Sequence, residues 1–278
     1  MASEKEGRRR ILITGGTSGL GLELARKFIS AGDEVWVTGR TLKDKNTPGE
    51  NFHFLKTDFA DLNGVAHTLS EVLESGLRFD IVINNAGVLG PPSFVVTDDG
   101  FEYTFQVNFL ANLLVSELVA RIADSDHRIL FAAVTSPVYK HVKPGFRAPE
   151  KDKYRPFRIY SESKYYLLLI TKAIRSSNPG KKISGFSFNP GIFNSGIYRT
   201  QAKWFHGLYK FASPILKDPG GVADRFIGVL DNVSFIDSAV YKSVKRHSLI
   251  SGNNEEVSVA FIDECRRHIE PYLPPRRV

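Results

Sequence analysis

The sequence predicts an α/β fold: one doubly wound parallel sheet with helices on both faces. Three features carry that expectation. Strand-like runs alternate with helical patterns, the strands are short and apolar almost throughout, and a glycine-rich turn joins the first strand to the first helix. The strand-like runs, rich in β-branched residues, lie at 10–13, 34–37, 52–55, 81–83, 129–134 and 183–188. Between the first two, Leu20, Leu24 and Phe28 recur every four residues, the spacing of one helix face, with Gly32 as the stop. Leu62, Val65, Leu69, Val72 and Leu73 repeat the pattern, helix-like stretches follow at 105–119 and 158–176, and others at 222–230 and 257–269 end the chain. Parallel neighbours need crossover helices, and a sheet covered on both faces needs apolar residues at successive strand positions, so both signals agree.

Composition narrows the class. With 278 residues, 42% hydrophobic and 24% charged, the chain can bury a core and lacks the bias of a disordered one. No repeat or Gly/Ser linker divides it. The expected organisation is a charged extension at 1–9, a single domain at 10–270 with an inserted substrate lid at about 192–220, and a tail at 271–278. Cys265 alone excludes an intrachain disulfide framework. No stretch approaches the ~20 apolar residues of a membrane-spanning helix, and residues 1–10 do not read as a secretory signal, so a cytoplasmic location is expected. The net charge of +7 favours anionic partners. Seven scattered histidines predict no metal site, and Arg8, Arg9, Arg10, Arg276 and Arg277 read as solvated flanks rather than a nucleic-acid surface.

The first strand runs directly into Thr14-Gly15-Gly16-Thr17-Ser18-Gly19-Leu20-Gly21 and then a helix. Glycines in that order let backbone approach a phosphate at a helix N-terminus, where the dipole favours an anion. Gly15, Thr17, Ser18, Gly19, Leu20 and Gly21 are therefore expected at a dinucleotide pyrophosphate. An acidic residue about 20 positions beyond such glycines, at the end of the second strand, marks an NAD site. Here that strand ends Val37-Thr38-Gly39-Arg40, a cation where a 2′-phosphate would lie and no carboxylate to repel it, so NADP(H) is the expected cofactor.

These residues resemble the short-chain dehydrogenase/reductase family, a Rossmann-type fold, whose members carry a Thr-Gly-x-x-x-Gly-x-Gly loop, here Thr14 to Gly21. Asn84-Asn85-Ala86-Gly87 is similar to that family's Asn-Asn-Ala-Gly, and Asn189-Pro190-Gly191 to its post-strand Pro-Gly. The resemblance implies that Asp58 and Phe59 meet the adenine, that Asn85, Ala86 and Gly87 line the cofactor or steady the sheet, and that Pro190, Gly191 and Ile192 border it. Tyr160 and Lys164, spaced i and i+4, share one helix face, and the resemblance makes them the catalytic pair, also touching the cofactor. A phenol active at neutral pH needs its pKa lowered by roughly three units, about 4 kcal/mol, which a neighbouring cation in a dry site supplies. Ser136, or Thr135 beside it, is the expected substrate-orienting hydroxyl, and Asn108 matches the asparagine holding a water that relays protons from the lysine.

Between Ser136 and Tyr160 lie Lys140, Lys143, Arg147, Lys151, Lys153, Arg155 and Arg158 against Glu150 and Asp152. The gap resembles that of retinol-dehydrogenase-like and protochlorophyllide-reductase-like branches of the family, and the charge run reads as a solvated loop or as a site for an anionic substrate. Ile197, Trp204, Phe205, Leu208, Tyr209 and Phe211, with interspersed Arg199, Lys203 and Lys210, read as a lid, a membrane-surface helix across 197–216, or core. The expected function is NADP(H)-dependent hydride transfer, in the direction of carbonyl reduction, on a small carbonyl or alcohol substrate with an apolar body. The alternatives are a catalytically silent NADP-binding regulator or scaffold and a peripheral membrane protein. The all-round apolar stretch 165–170 suits a paired-helix homodimer.

Overall fold

The computed structural model describes residues 7–42, 49–142, 149–191, 218–232, 239–243, 246–249 and 253–275. Its strands are β1 (Arg10–Ile13), β2 (Glu34–Gly39), β3 (Phe52–Lys56), β4 (Ile81–Asn84), β5 (Arg128–Val134), β6 (Lys182–Phe188), β7 (Ala239–Tyr241) and β8 (Arg246–Leu249). They form one sheet in the order β3-β2-β1-β4-β5-β6-β7-β8. All neighbours are parallel except β8, which runs antiparallel to β7. The six expected strands are present in a parallel sheet, and β7 and β8 extend it, β8 as an antiparallel edge. β7 is only Ala-Val-Tyr, too short to show periodicity, and β8 reads Arg-His-Ser-Leu, a polar pattern suited to an edge.

The helices are α1 (Gly19–Ser30), α2 (Leu62–Glu74), α3 (Tyr103–Ile122), α4 (Pro156–Leu167), α5 (Ile170–Ser177), α6 (Pro219–Asn232) and α7 (Asn253–Ile269). Strand side chains alternate between two cores. Ile11, Ile13, Ile81, Ile83, Ala132 and Val134 face α1 and α6. Leu12, Val82, Phe131 and Ala133 face α2, α3, α5 and α7. Both faces are thus buried, which is why the strands read as unbroken apolar runs.

Two sequence expectations are corrected here. Helix α3, 20 residues long, is long and apolar enough by length and composition to cross a membrane, yet it is wholly buried inside the fold. It reads apolar all round because the sheet lies on one side and α2, α5 and α7 on the others. The single helix expected over 158–176 is broken at Leu168 and Leu169, whose N–H groups bond to the carbonyls of Tyr165 and Tyr166, three residues back. The tightened turn sends Leu168 towards Tyr139 and Val240 and Leu169 into the larger core. The apolar circumference of 165–170 is accounted for within one chain, since Phe261 of α7 packs at a tilt against Tyr166 with ring centroids 4.6 Å apart and Ile262, Cys265 and Ile269 complete that face. The expected lid at 192–220 falls outside the described residues up to position 217; from Pro219 onward it is the start of α6.

A buried ion pair fastens α7 to this core. Glu117 of α3, 1% exposed, takes Arg266 Nε at 2.7 Å, Ser177 Oγ at 3.0 Å and Asn178 Nδ2 at 3.3 Å. Glu117→Ala leaves the guanidinium without that carboxylate and is expected to cost about 3 kcal/mol in urea unfolding at pH 7. A loss below about 1 kcal/mol would show that the pair does not hold α7 in place.

Candidate active site

The glycine loop leaves β1 and is tied to both neighbouring strands. Thr14 Oγ1 accepts the N–H groups of Asn85 and Ala86, each at 2.9 Å, and donates to Asn112 Oδ1 at 2.8 Å. Asn85 Nδ2 donates to the carbonyls of Thr14 at 2.9 Å and Gly15 at 3.2 Å. On the other side Thr38 Oγ1 accepts from Gly15 N–H at 3.2 Å, and the Thr38 carbonyl accepts from Gly16 N–H at the same distance. Asn85 therefore braces the loop.

The loop forms a backbone cradle at the start of α1. A Cβ on Gly21 would lie 2.6 Å from Asn85 Nδ2 and from the Gly15 carbonyl, so the helix packs directly on the loop. Gly19, at φ +56°, has open space where a side chain would be, and no side chain caps the first turn of α1. These features fit the phosphates of a dinucleotide: unhindered backbone at a helix start, with a favourable dipole. Leu20 is buried in the core, so of the loop residues it can offer only backbone to a ligand.

At the ends of β2 and β3, Arg40 is exposed, and a Cβ on Gly39 would meet Thr17 Cγ2 at 2.7 Å, which leaves no room there for a carboxylate side chain. Asp58 is exposed, with Oδ1 accepting from Ala60 N–H at 3.0 Å, whereas the Phe59 ring lies in the core. Tyr103, at the head of α3, is a residue that sequence reasoning missed. Burial raises its phenol pKa, while the Arg40 guanidinium, which hydrogen-bonds to it, pulls the other way.

The second cluster stands where β4 and β5 end. Tyr160 and Lys164 on α4 are 6% and 4% exposed. Lys164 Nζ donates to the Val134 carbonyl at 3.2 Å and lies beneath Gly87, where an added Cβ would sit 2.8 Å from it. Burial pushes the Lys164 ammonium down to about 8. Asn108 lies in a π-helical turn, Gln106–Leu110, within α3. Its Oδ1 accepts from Val88 N–H at 2.7 Å, and its Nδ2 donates to the Val88 carbonyl at 2.9 Å and to Ser163 Oγ at 3.0 Å. Its side chain thus couples the post-β4 segment to α4. Asn112 Nδ2 donates to the Asn108 carbonyl at 2.9 Å, supporting the widened turn.

Of the two hydroxyls after β5, Thr135 Oγ1 donates to the Lys164 carbonyl at 2.9 Å and is buried. Ser136 heads the 3₁₀ turn Pro137–His141 without capping it through its side chain. Pro190 and Gly191 close the far side, with the Pro190 carbonyl accepting from Arg225 of α6 at 2.9 Å and Gly191 N–H donating to Asn189 Oδ1 at 2.9 Å. Ile192 and the aromatic run at 197–216 lie outside the described residues. Within the basic run, Lys153 pairs with Glu150 at 2.9 Å on a solvated face, whereas Arg158 reaches the buried Glu162 at 2.8 Å. Tyr154, also missed, donates to the Pro91 carbonyl at 2.8 Å and pins the segment beyond Gly87. Asn112 was missed as well, although a signal was present: Thr104, Asn108, Asn112 and Ser116 repeat every four residues along an apolar helix.

The profile of the short chain dehydrogenase family matches residues 9–205. Retinol dehydrogenase 14 of Mus musculus is 28% identical over 280 residues, covering 86% of this chain and 83% of that protein. Short-chain dehydrogenase TIC 32 A, chloroplastic, of Brassica napus is 28% identical over 209 residues, covering 68% of this chain and 65% of that protein, so the chain spans less than two thirds of this relative. A short chain dehydrogenase from Burkholderia cenocepacia, solved in complex with NADP, shares the fold with a TM-score of 0.60 at 16% identity, covering 96% of this chain and 98% of that one.

The buried ammonium gives a pH signature. Lys164 moves from an ordinary 10.5 to about 8 on folding, so below pH 8, where both states are protonated, its burial costs stability, and above 10.5 it costs none. Stability from this group is expected to rise between about pH 8 and 10.5. Lys164→Met should therefore exceed wild type in urea unfolding at pH 7 and lose that advantage by pH 10.5. An advantage that does not change with pH would refute the burial cost.

Proposed function

Because this chain belongs to the short-chain dehydrogenase/reductase family of oxidoreductases, we propose that it moves hydride between NADP(H) and the carbonyl or alcohol carbon of a small molecule with an apolar body. The observation that carries this reading is the convergence of Lys164, Gly87 and Asn108 at the ends of β4 and β5, with the buried Tyr160 one helical turn before Lys164 on α4. Ligands of open α/β sheets bind at this point, where strand order reverses.

The cradle formed by Gly15, Thr17, Ser18, Gly19, Leu20 and Gly21 would hold the pyrophosphate, with Asp58 and the backbone of Phe59 at the adenine and Lys164 at the nicotinamide ribose. Arg40 and the closed space at Gly39 support NADP(H) over NAD(H). When bound, the nicotinamide supplies or accepts the hydride. In carbonyl reduction, the direction favoured here, the Tyr160 hydroxyl gives its proton to the substrate oxygen as negative charge develops on it. Ser136 orients that oxygen, because the Thr135 hydroxyl is already engaged by the Lys164 carbonyl. Lys164 favours the phenolate that remains, and reprotonation proceeds by way of Lys164 and a water held near Asn108. The name of the mouse relative, a retinol dehydrogenase, supports an apolar substrate body.

Tyr160→Phe is expected to lower turnover of a ketone and aldehyde panel by about 10²- to 10⁴-fold, read at the NADPH absorbance band, while NADPH binding persists. Wild-type protein that binds NADPH and turns over no faster than this variant would favour a silent regulator. Arg40→Ala should weaken NADPH about tenfold or more while sparing NADH, since it removes a charge-assisted contact to the 2′-phosphate alone. Equal losses for both cofactors would refute that role.

A further inference from the structure

The turn after β3, assigned above to the adenine, is supported from beneath by residues that take no part in the reaction. The Phe59 carbonyl accepts from Gln106 Nε2 at 3.3 Å. Gln106 is fully buried in the π-helical turn of α3, and its Oε1 accepts from Thr97 Oγ1. The same Nε2 donates to Asp99 Oδ2 at 2.7 Å, an oxygen that also takes the N–H of Leu62, the first residue of α2, at 2.9 Å. One carboxylate oxygen therefore holds the α2 end of the turn directly and the Phe59 carbonyl through Gln106. The other oxygen, Asp99 Oδ1, accepts from the phenol of Tyr272 at 3.2 Å, 173 residues further along the chain.

Tyr272 is itself held in place. Glu270 pairs with Arg121 of α3 at 2.6 Å, and Arg121 Nη1 donates to the Pro274 carbonyl at 3.1 Å, so the segment after α7 is fastened on both sides of the tyrosine. Tyr272 and Leu273 also pack against the main core, although the sequence reads 271–278 as a tail. Burial and the Asp99 carboxylate raise the Tyr272 phenol pKa, so at neutral pH it remains the donor.

We propose that Tyr272 is a positioning residue of the nucleotide site, orienting Asp99 so that Asp99 and Gln106 hold the Asp58–Phe59 turn in the shape that receives adenine. The C-terminal segment then belongs to the cofactor site. This rests on the reading of that turn as the adenine side of an NADP(H) site. Adenine is common to NADH, NADPH and 5′-ADP, so loosening the turn weakens all three by one factor. Loss of Arg40, by contrast, affects only the ligand with a 2′-phosphate.

The test is Tyr272→Phe in the full chain, with dissociation constants for 5′-ADP, NADH and NADPH measured by calorimetry, kcat at saturating NADPH, and thermal melting. All three constants are expected to rise by the same factor, about three- to tenfold for one hydrogen bond to a carboxylate, with kcat unchanged. Asp99→Asn, which keeps the side-chain shape but has one acceptor oxygen instead of two, should move the constants in the same direction. Unchanged constants, a loss confined to NADPH, or a lower melting temperature without weaker binding would each overturn the proposal. Wild-type protein that binds neither nicotinamide cofactor overturns the functional reading together with this one, whereas wild-type binding that Tyr272→Phe leaves intact overturns this one alone.

Discussion

Between β1 and β4 the sheet reverses its order, and the loops leaving the two strands turn to opposite sides. The Thr14 hydroxyl spans that divide. It accepts two backbone N–H groups from Asn85 and Ala86 and donates to Asn112, a residue of the helix that crosses behind the sheet. Three chain segments that share no sequence neighbourhood thereby acquire one geometry. The glycine cradle sits on one side of this junction and the helix carrying Tyr160 and Lys164 on the other, so the distance between the two depends on it. Asn85, which the family resemblance implies either lines the cofactor or steadies the sheet, serves the same junction by binding the loop's own carbonyls.

The chemistry carries a stability cost. An ammonium buried beneath Gly87, with the Val134 carbonyl as an acceptor, is held where solvation is poor, and its lowered proton affinity expresses this. No side chain at position 87 could coexist with that ammonium as placed. Nearby, the π-helical turn departs from ordinary helix geometry, and the Asn112 amide supports its carbonyls. Local departures of this kind gather where function sets the geometry, and the surrounding packing has to sustain them. Here that packing is α3 with α2, α5 and α7 around it, a layer secured by the Glu117–Arg266 pair.

The placement of six strands, the glycine cradle and the i, i+4 spacing of Tyr160 and Lys164 were all legible in the sequence, because each depends on residues close together in the chain. The choice between Ser136 and Thr135 was not. Both are hydroxyls at the end of one strand, and the Lys164 carbonyl alone separates them. Leu20 and Phe59 were legible as positions but not as orientations, since their side chains enter the core. Tyr103 and Tyr154 gave no local sign of their role, because Arg40 and Pro91, which they meet, are more than sixty residues away.

By itself, then, the sequence determined the layered α/β plan, the glycine-rich turn at the start of α1 and the shared helix face of Tyr160 and Lys164, all of which follow from short-range spacing, backbone permissiveness and side-chain type. The tertiary structure decided which hydroxyl is engaged, where the 158–176 helix breaks, how the apolar circumference of 165–170 is covered, and that Tyr272 of the C-terminal segment reaches Asp99. Those outcomes turn on which of several chemically equivalent partners a group meets. Only the packing of distant segments brings one of them within hydrogen-bond range and buries the others.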